Sequence, residues 1–461
     1  MPRPLIGKKA GTGRLEKLDK KYLWHPFTQM RDWEKEPQLI IERGKGSTLI
    51  DIHGNTYLDG VSSLWVNVHG HRKKELDSAV AAQLGKIAHS TLLGLSNVPA
   101  VLLAEKLVSI APDGLARVFY SDSGSTAVEI ALKMAYQYWQ QKGPEYQRKT
   151  GFISLTGGYH GDTIGAVSVG GIDLFHALYK PLLFQTRKID SPYCYRCAHG
   201  LSAPDCMKSC FMHTERTIEK YASATAALII EPLVQGAAGM LMQPAGYLKK
   251  IRELCTKHGI LMIADEVATG FGRTGRMFAC EHEGVSPDIL CVAKGITGGY
   301  LPLAATLTTD ELYRGFLGEY REFRTFFHGH TYTGNPLACA AAVANIDLFR
   351  KEKTLAKLKP KIALLTTELE AFKKLAHVGE VRQRGFMVGI ELVMNRATKQ
   401  PYPPEDKIGA GVTLECRKQG LIIRPLGNVI ILMPPLSVSV PDLRRMLQIA
   451  YAAIRRMTEG V

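Results

Sequence analysis

From about residue 115 to 310, short apolar runs alternate with glycine-rich turns and with stretches whose apolar positions recur three and four apart. Such runs, spaced by helical periodicity, are what βαβ units produce, because a parallel strand covered by helices on both faces has no polar side to display. The runs fall at 117–120, 152–155, 227–230, 261–264, 289–293 and 303–307, and the clearest helical stretch between them covers 128–139. Past about residue 345 the pattern changes. A lysine-rich amphipathic stretch at 348–374 predicts a helix, strand-like segments follow at 386–392, 421–424 and 429–433, and a last helix starts at Asp442. Together these predict an α/β protein with a mainly parallel sheet and a smaller α+β unit that recruits residues 30–65. The expected division is 1–70 as an N-terminal segment and part of the small unit, 71–344 as the large unit, and 345–461 as the C-terminal small unit.

Composition narrows the class. The 461 residues are 46% hydrophobic and 22% charged, which suits a chain that buries a large core. The longest apolar stretches, such as 226–230 and 429–433, fall far short of the roughly 18 residues a membrane-spanning helix needs. Residues 1–21 are basic but interrupted by Glu16 and Asp19, and no apolar core follows, so no leader peptide is expected and a cytoplasmic location is. The 58 basic residues against 43 acidic ones leave a formal +15, spread along the chain without a block of five like charges. That distribution predicts a solvated surface, with no nucleic-acid partner.

Nine cysteines divide into two groups. Cys255, Cys280, Cys291, Cys339 and Cys416 stand singly in apolar or helical contexts and are expected as reduced core residues. Cys194, Cys197, Cys206 and Cys210 form CxxC followed by CxxxC, with His199 between. Four thiolates can close a tetrahedral zinc site, and reduced loop cysteines with no metal are the default expectation.

Two strand ends carry the chemistry. The run 261–264 ends in Asp265-Glu266, and the run 289–293 ends in Lys294-Gly295. In open α/β sheets ligands lie at the carboxyl ends of strands, so a carboxylate and an amine would share one crevice. Pyridoxal phosphate needs both: a lysine for its aldehyde and an acid to keep its ring nitrogen protonated. A phosphate site could follow the run at 117–120, where Ser121-Asp122-Ser123-Gly124-Ser125-Thr126 leads into a helix. Thr126 and Glu129 have capping-box spacing, which would leave the amides of Gly124, Ser125 and Thr126 for an anion. In Gly157-Gly158-Tyr159-His160-Gly161, flanking glycines would let Tyr159 project over a flat ring. Each piece alone also reads as a surface charge, a capped helix or a turn; their joint setting favours the cofactor.

These pieces, with Ile230-Glu231-Pro232, the run from Asp265 through Gly270-Phe271-Gly272-Arg273-Thr274-Gly275, Lys294-Gly295-Ile296-Thr297-Gly298-Gly299 and Thr333-Gly334-Asn335-Pro336, resemble the class III, omega-type aminotransferases over almost the whole chain. The resemblance implies the fold type I architecture of pyridoxal phosphate transferases: a large domain with a mainly parallel seven-stranded sheet between helices, plus a small α+β domain. Four further segments are similar to family members that aminate 8-amino-7-oxononanoate in biotin biosynthesis: Trp24-His25-Pro26-Phe27-Thr28-Gln29, Ser62-Ser63-Leu64-Trp65, Tyr159 to Thr163, and Arg424-Pro425-Leu426 with Met433-Pro434-Pro435.

By this resemblance Lys294 is the Schiff-base lysine, Asp265 the pyridinium partner, and Tyr159 the residue stacked on the ring. Gly124 and Ser125 hold the phosphate. His330 and Thr331 reach the neighbouring subunit's cofactor, which implies a homodimer with shared active sites. Phe27, Trp65, Tyr159, Lys294, Gly329 and Arg424 line the substrate site, with Arg424 gripping the substrate carboxylate through parallel hydrogen bonds. In ornithine and GABA relatives an acid can neutralise the equivalent arginine; that position is Ala237 here, and the glutamine of those relatives is Ala268. Both changes argue against the main rival, an omega-amino acid or diamine aminotransferase using a 2-oxo acid. Intact Lys294 and Asp265 argue against a non-catalytic binding protein. The amino donor is S-adenosylmethionine or L-lysine: members using the former commonly carry Tyr at Phe27 and a double Trp at Leu64-Trp65.

Overall fold

The computed structural model describes residues 11–201 and 205–460, with the side chains of 205 and 206 also outside the description. Its centre is a seven-stranded sheet of β1 (Leu115–Ser121), β2 (Gly151–Leu155), β3 (Arg187–Ile189), β4 (Thr225–Ile230), β5 (Leu261–Asp265), β6 (Ile289–Val292) and β7 (Ala304–Thr309). The spatial order is β1-β7-β6-β5-β4-β2-β3. All neighbours are parallel except the two pairings of β7, so β7 alone runs against the rest. Strands β4 and β6 are buried at every position, which is why they read as unbroken apolar runs instead of alternating ones. The edge strand β3 has the sequence Arg-Lys-Ile with two exposed residues, so no apolar run announced it.

The expected helix at 128–139 extends over Gly124–Lys142 and buries Val128, Ile130, Ala131, Ala135 and Tyr138 against the sheet. The stretch 348–374 is not one helix. Lys353 takes a left-handed φ of 53°, which separates Pro336–Lys351 from Thr354–Leu369, and a short 3-10 turn at Phe372–Lys374 ends the run. The helix Pro336–Lys351 spans residues 344 and 345, and Asn335 caps it by accepting from the amides of Leu337 and Ala338.

The segment 421–424 divides between two sheets. Leu421–Ile422 pairs in parallel with Thr56–Asp59, joining the N-terminal strands Ile41–Lys45 and Thr48–Asp51, whereas Arg424–Leu426 pairs antiparallel with Val429–Leu432. The second sheet also holds Val378–Arg384 and Met387–Asn395; the former, mostly polar and half-buried, gave no apolar signal. Residues 41–59 thus share a four-stranded sheet with Leu421–Ile422 from the C-terminal part of the chain.

Among the described residues no helix is long and apolar enough to cross a membrane. Cys255, Cys280, Cys291, Cys339 and Cys416 are buried and free. Cys194 and Cys197 sit on the loop beside Tyr193 and Arg196; the side chain of Cys206 lies outside the described residues, and among the described ones no three His, Cys, Asp or Glu side chains group to hold a metal.

That loop docks on the second sheet through a buried cation. The Arg382 guanidinium, 3% exposed, donates to Glu391 at 2.5 Å, to Glu380 at 2.6 Å, to the Gly239 carbonyl at 2.8 Å and to the Tyr193 hydroxyl, and Arg196 donates to Glu391 at 2.7 Å. Truncating Glu391 takes away the more buried of the two carboxylates that hold Arg382, and the acceptor of Arg196 with it. Glu391→Ala should therefore destabilise the protein by about 3 kcal/mol, seen as a lower midpoint in equilibrium denaturant unfolding.

Candidate functional site

Strands β1, β2, β4, β5 and β6 all end at one edge of the sheet, and the residues just past their ends face a cavity of about 410 Å³. Trp65, Gly124, Ser125, Tyr159, Asp265 and Lys294 line it, so six of the residues singled out in the sequence meet in one place.

Asp265, the last residue of β5, is 4% exposed. Its carboxylate accepts from His160 Nδ1 at 2.7 Å and from the Val267 amide at 3.1 Å, so the buried charge is held by two donors. Lys294 follows β6 with a φ of 46°, and its amine lies 4.7 Å from the Trp65 ring centroid. Burial lowers the Lys294 amine to a pKa of about 8, against the opposing pull of Asp265 and Glu231. Glu231, just past β4, accepts from the amides of Tyr159 at 3.0 Å and Gly236 at 2.9 Å. Burial, partly offset by His160 and reinforced by Asp265, raises its carboxyl to about 7.

The phosphate end differs in register from the expected cap. Ser123, not Thr126, caps the helix: Ser123 Oγ accepts from the Thr126 amide at 3.3 Å and Thr126 Oγ1 accepts from the Ser123 amide at 3.0 Å. Glu129 points elsewhere and accepts from the amides of Gly165 at 2.6 Å and Ala166 at 3.3 Å. The helix therefore opens at Gly124 and Ser125, whose amides carry its positive end. A Cβ at Gly124 would lie 2.6 Å from Val267 Cγ1, and one at Gly161 would lie 2.0 Å from Ser125 Oγ, so side chains are excluded where the backbone must close in. His330 Nδ1 sits 2.7 Å from Asp122 Oδ2 at the same end.

The Tyr159 hydroxyl donates to Asp162 at 2.9 Å, and the Asp162 amide donates to Ser125 Oγ at 3.1 Å. The Arg424 guanidinium lies 5.7 Å from the Phe27 ring, which packs edge-on to Phe175, and Phe175 in turn packs edge-on to Tyr159. Phe27 and Arg424 thus adjoin the cavity without lining it. Burial lowers the Arg424 pKa, and no carboxylate among the described residues pairs with it; Ala237 and Ala268 line the cavity instead. Gly329 and Thr331 are exposed, on a segment that also exposes Phe327 and Tyr332.

Three contributors had no assigned role from sequence: His160, Glu231 and Phe175. The first two sit inside motifs already singled out, and only the fold shows that they face Asp265 and Tyr159. Phe175 lies in a short helix, Asp173–His176, with no motif to mark it. Trp65 comes from an unusual turn in which Ser62, Ser63, Leu64 and Trp65 all have positive φ, a conformation costing about 1–2 kcal/mol per non-glycine residue.

Pyridoxal phosphate fits this donor set: a buried, hydrogen-bonded carboxylate for the ring nitrogen, a lysine amine for the aldehyde, an aromatic face, and helix-terminal amides packed too closely for side chains.

The sequence model of the family described as Aminotransferase class-III matches residues 29–454. An adenosylmethionine-8-amino-7-oxononanoate aminotransferase of Nitratidesulfovibrio vulgaris is 56% identical over 97% of this chain and 83% of its own length; one from Geobacter sulfurreducens is 54% identical over 97% and 99%. The crystal structure of the enzyme with the same name from Methanocaldococcus jannaschii superposes with a TM-score of 0.92 at 50% identity, covering 96% of this chain and 99% of that one. A PLP-bound amine transaminase from an uncultivated Pseudomonas species superposes at 0.90 with 40% identity, over 95% and 99%.

The lowered Lys294 pKa has a direct readout. In cofactor-free protein, amine-directed modification of Lys294, followed by peptide mapping, should rise with pH to half its maximum near pH 8, whereas exposed lysines keep gaining reactivity past pH 10.

Proposed function

The chain belongs to the class-III aminotransferase family, and from that membership we propose that it transfers an amino group to 8-amino-7-oxononanoate, giving 7,8-diaminononanoate in biotin biosynthesis, with pyridoxal phosphate as cofactor. The observation that carries this reading is Arg424: a partly buried guanidinium with no carboxylate partner among the described residues, beside a cavity that holds Asp265 and Lys294. It suits an acceptor that ends in a carboxylate, because a planar guanidinium grips that group through two parallel hydrogen bonds.

When bound, pyridoxal phosphate supplies an electron sink for the amino-bearing carbon and carries the amino group from donor to acceptor. Asp265, fixed by His160, would hold a proton on the ring nitrogen. Lys294 would anchor the aldehyde, and its amine, with a pKa lowered by burial to about 8, would be the group that moves a proton at the reacting carbon. Gly124 and Ser125, together with His330 and Thr331 contributed by a second copy, would hold the phosphate; Tyr159 would cover the ring, Trp65 would wall the substrate space, and Phe27 and Gly329 would border it from outside the cavity. S-adenosylmethionine is the donor, in line with the relatives' names. A second reading, L-lysine, is favoured by Phe27, which sets a bare ring beside Arg424 where a phenol would offer a hydroxyl.

The working unit is a homodimer in the cytoplasm, built from a large unit at 71–344 and a small one from 345–461 with residues 1–70. Exposed Phe327 and Tyr332 beside Gly329 and Thr331 support a surface that a second copy covers.

Adding each donor separately to the yellow holoenzyme should convert its absorbance to that of the pyridoxamine form with S-adenosylmethionine; conversion by lysine alone would establish the second reading. Lys294→Ala should abolish turnover. Mixed with Thr331→Arg, a variant impaired in its partner's site, it should regain activity through dimers that assemble one intact site, and strict additivity of the two residual rates would rule out shared sites.

A further inference from the structure

The turn that delivers Trp65 is not self-supporting. Ser62, Ser63, Leu64 and Trp65 have φ of 52°, 56°, 106° and 68°, with no glycine among them. Backbone bonds from the Leu64 and Trp65 amides to the Val61 carbonyl, and from the Val66 and Asn67 amides to the Ser62 carbonyl, close the turn but would form as readily in a right-handed one. What selects the left hand must come from outside it.

Asp59 is placed to do so. Its side chain has no solvent exposure, and its carboxylate accepts from the Ser63 amide and from the Ser63 hydroxyl, both at 2.8 Å. The same carboxylate accepts from His71 Nε2 at 2.9 Å, and the Asn67 amide group, 3.3 Å from His71 Nδ1, fixes the tautomer that lets Nε2 donate. Asp59 is itself immobile: it ends the strand Thr56–Asp59, its amide donates to Ser47, and it pairs across the sheet with Ile422. On the far side Ser62 donates to the Met433 carbonyl at 2.6 Å and receives Arg273 at 3.1 Å, so the turn is held at both ends.

We propose that Asp59 is a positioning residue of the site: its carboxylate, steadied by His71, locks the left-handed Ser62–Trp65 turn and thereby fixes the Trp65 ring against the Lys294 amine. The space for that ring is tight. A Cβ at Gly236 would come within 3.2 Å of Trp65 Cζ3, so the indole is packed closely against the Gly236 backbone on that side. The consequence for turnover rests on the reading of Trp65 as a wall of the substrate site; the conformational lock does not.

The test uses Asp59→Asn and Ser63→Ala, each alone and combined with Trp65→Phe. Ser63 is exposed, so its truncation keeps the fold even where the buried Asp59→Asn does not. Near-UV circular dichroism of the cofactor-free proteins isolates the Trp65 band as the difference from the matching Trp65→Phe protein. That band should collapse in both backgrounds, and KM for 8-amino-7-oxononanoate in the holoenzyme should rise about tenfold, the effect of losing one charge-assisted hydrogen bond. In the double variants KM should be no higher than in Trp65→Phe alone, since both changes act on the same ring. An undiminished Trp65 band in Ser63→Ala, or fully additive effects on KM, would overturn the lock. A collapsed band with unchanged KM would uphold the lock and remove Trp65 from the substrate wall.

Discussion

The structure turns on the burial of opposite charges at one sheet edge. Asp265 and Lys294 leave adjacent strands and enter the same cavity, where burial makes each charge expensive alone. The protein resolves this asymmetrically. Asp265 is given two donors, whereas Lys294 has no hydrogen-bonded acid among the described residues and has its proton loosened by burial. A carboxylate held by two hydrogen bonds beside an amine that readily sheds its proton is an arrangement suited to proton transfer at a carbon atom.

Most of the surrounding architecture serves that edge. The parallel strands bring five loops to it, the helix Gly124–Lys142 turns its positive end toward it, and glycines at 124 and 161 remove side chains where backbones close in. Glu231 links two of the loops through the amides of Tyr159 and Gly236. The site is thus assembled from loop ends that cross-brace one another, with little contribution from any one long element.

How much of this was legible in the sequence follows from how locally each feature is encoded. Six of seven central strands were visible because burial on both faces forces apolar runs; β3 was not, because an edge strand tolerates Arg187 and Lys188. The break at Lys353 escaped notice because a lysine in a left-handed conformation leaves no mark in amphipathic periodicity. The division of 421–424 between two sheets depends on one distant partner, Leu58–Asp59 for Leu421–Ile422, and one near neighbour, Val429–Ile431 for Arg424–Leu426. In the site, Asp265, Lys294 and the Gly124-Ser125 turn were marked by strand-end position, yet the cap was misplaced by three residues, since Ser123 and Thr126 satisfy the same local spacing as Thr126 and Glu129. Phe175 is a tertiary fact, and the clamp around Ser63, though its members Asp59, Asn67 and His71 lie within thirteen residues, depends on a left-handed turn that no periodicity marks.

The glycine at position 60 gives the site a fixed gauge. Its amide donates to the Ile422 carbonyl at 2.9 Å, its carbonyl accepts from the Met433 amide at 2.8 Å, and a Cβ there would lie 2.7 Å from Ile423 Cγ2. The Trp65 turn begins two residues after Gly60 and Arg424 lies two residues after Ile422, so the aromatic stop and the guanidinium are hung from the same rung of one ladder. Neither can slide relative to the other without breaking that rung. The span between them behaves as a calliper set at assembly, and a shift in preferred chain length would be reached more readily by exchanging side chains at its jaws than by bending the backbone between them.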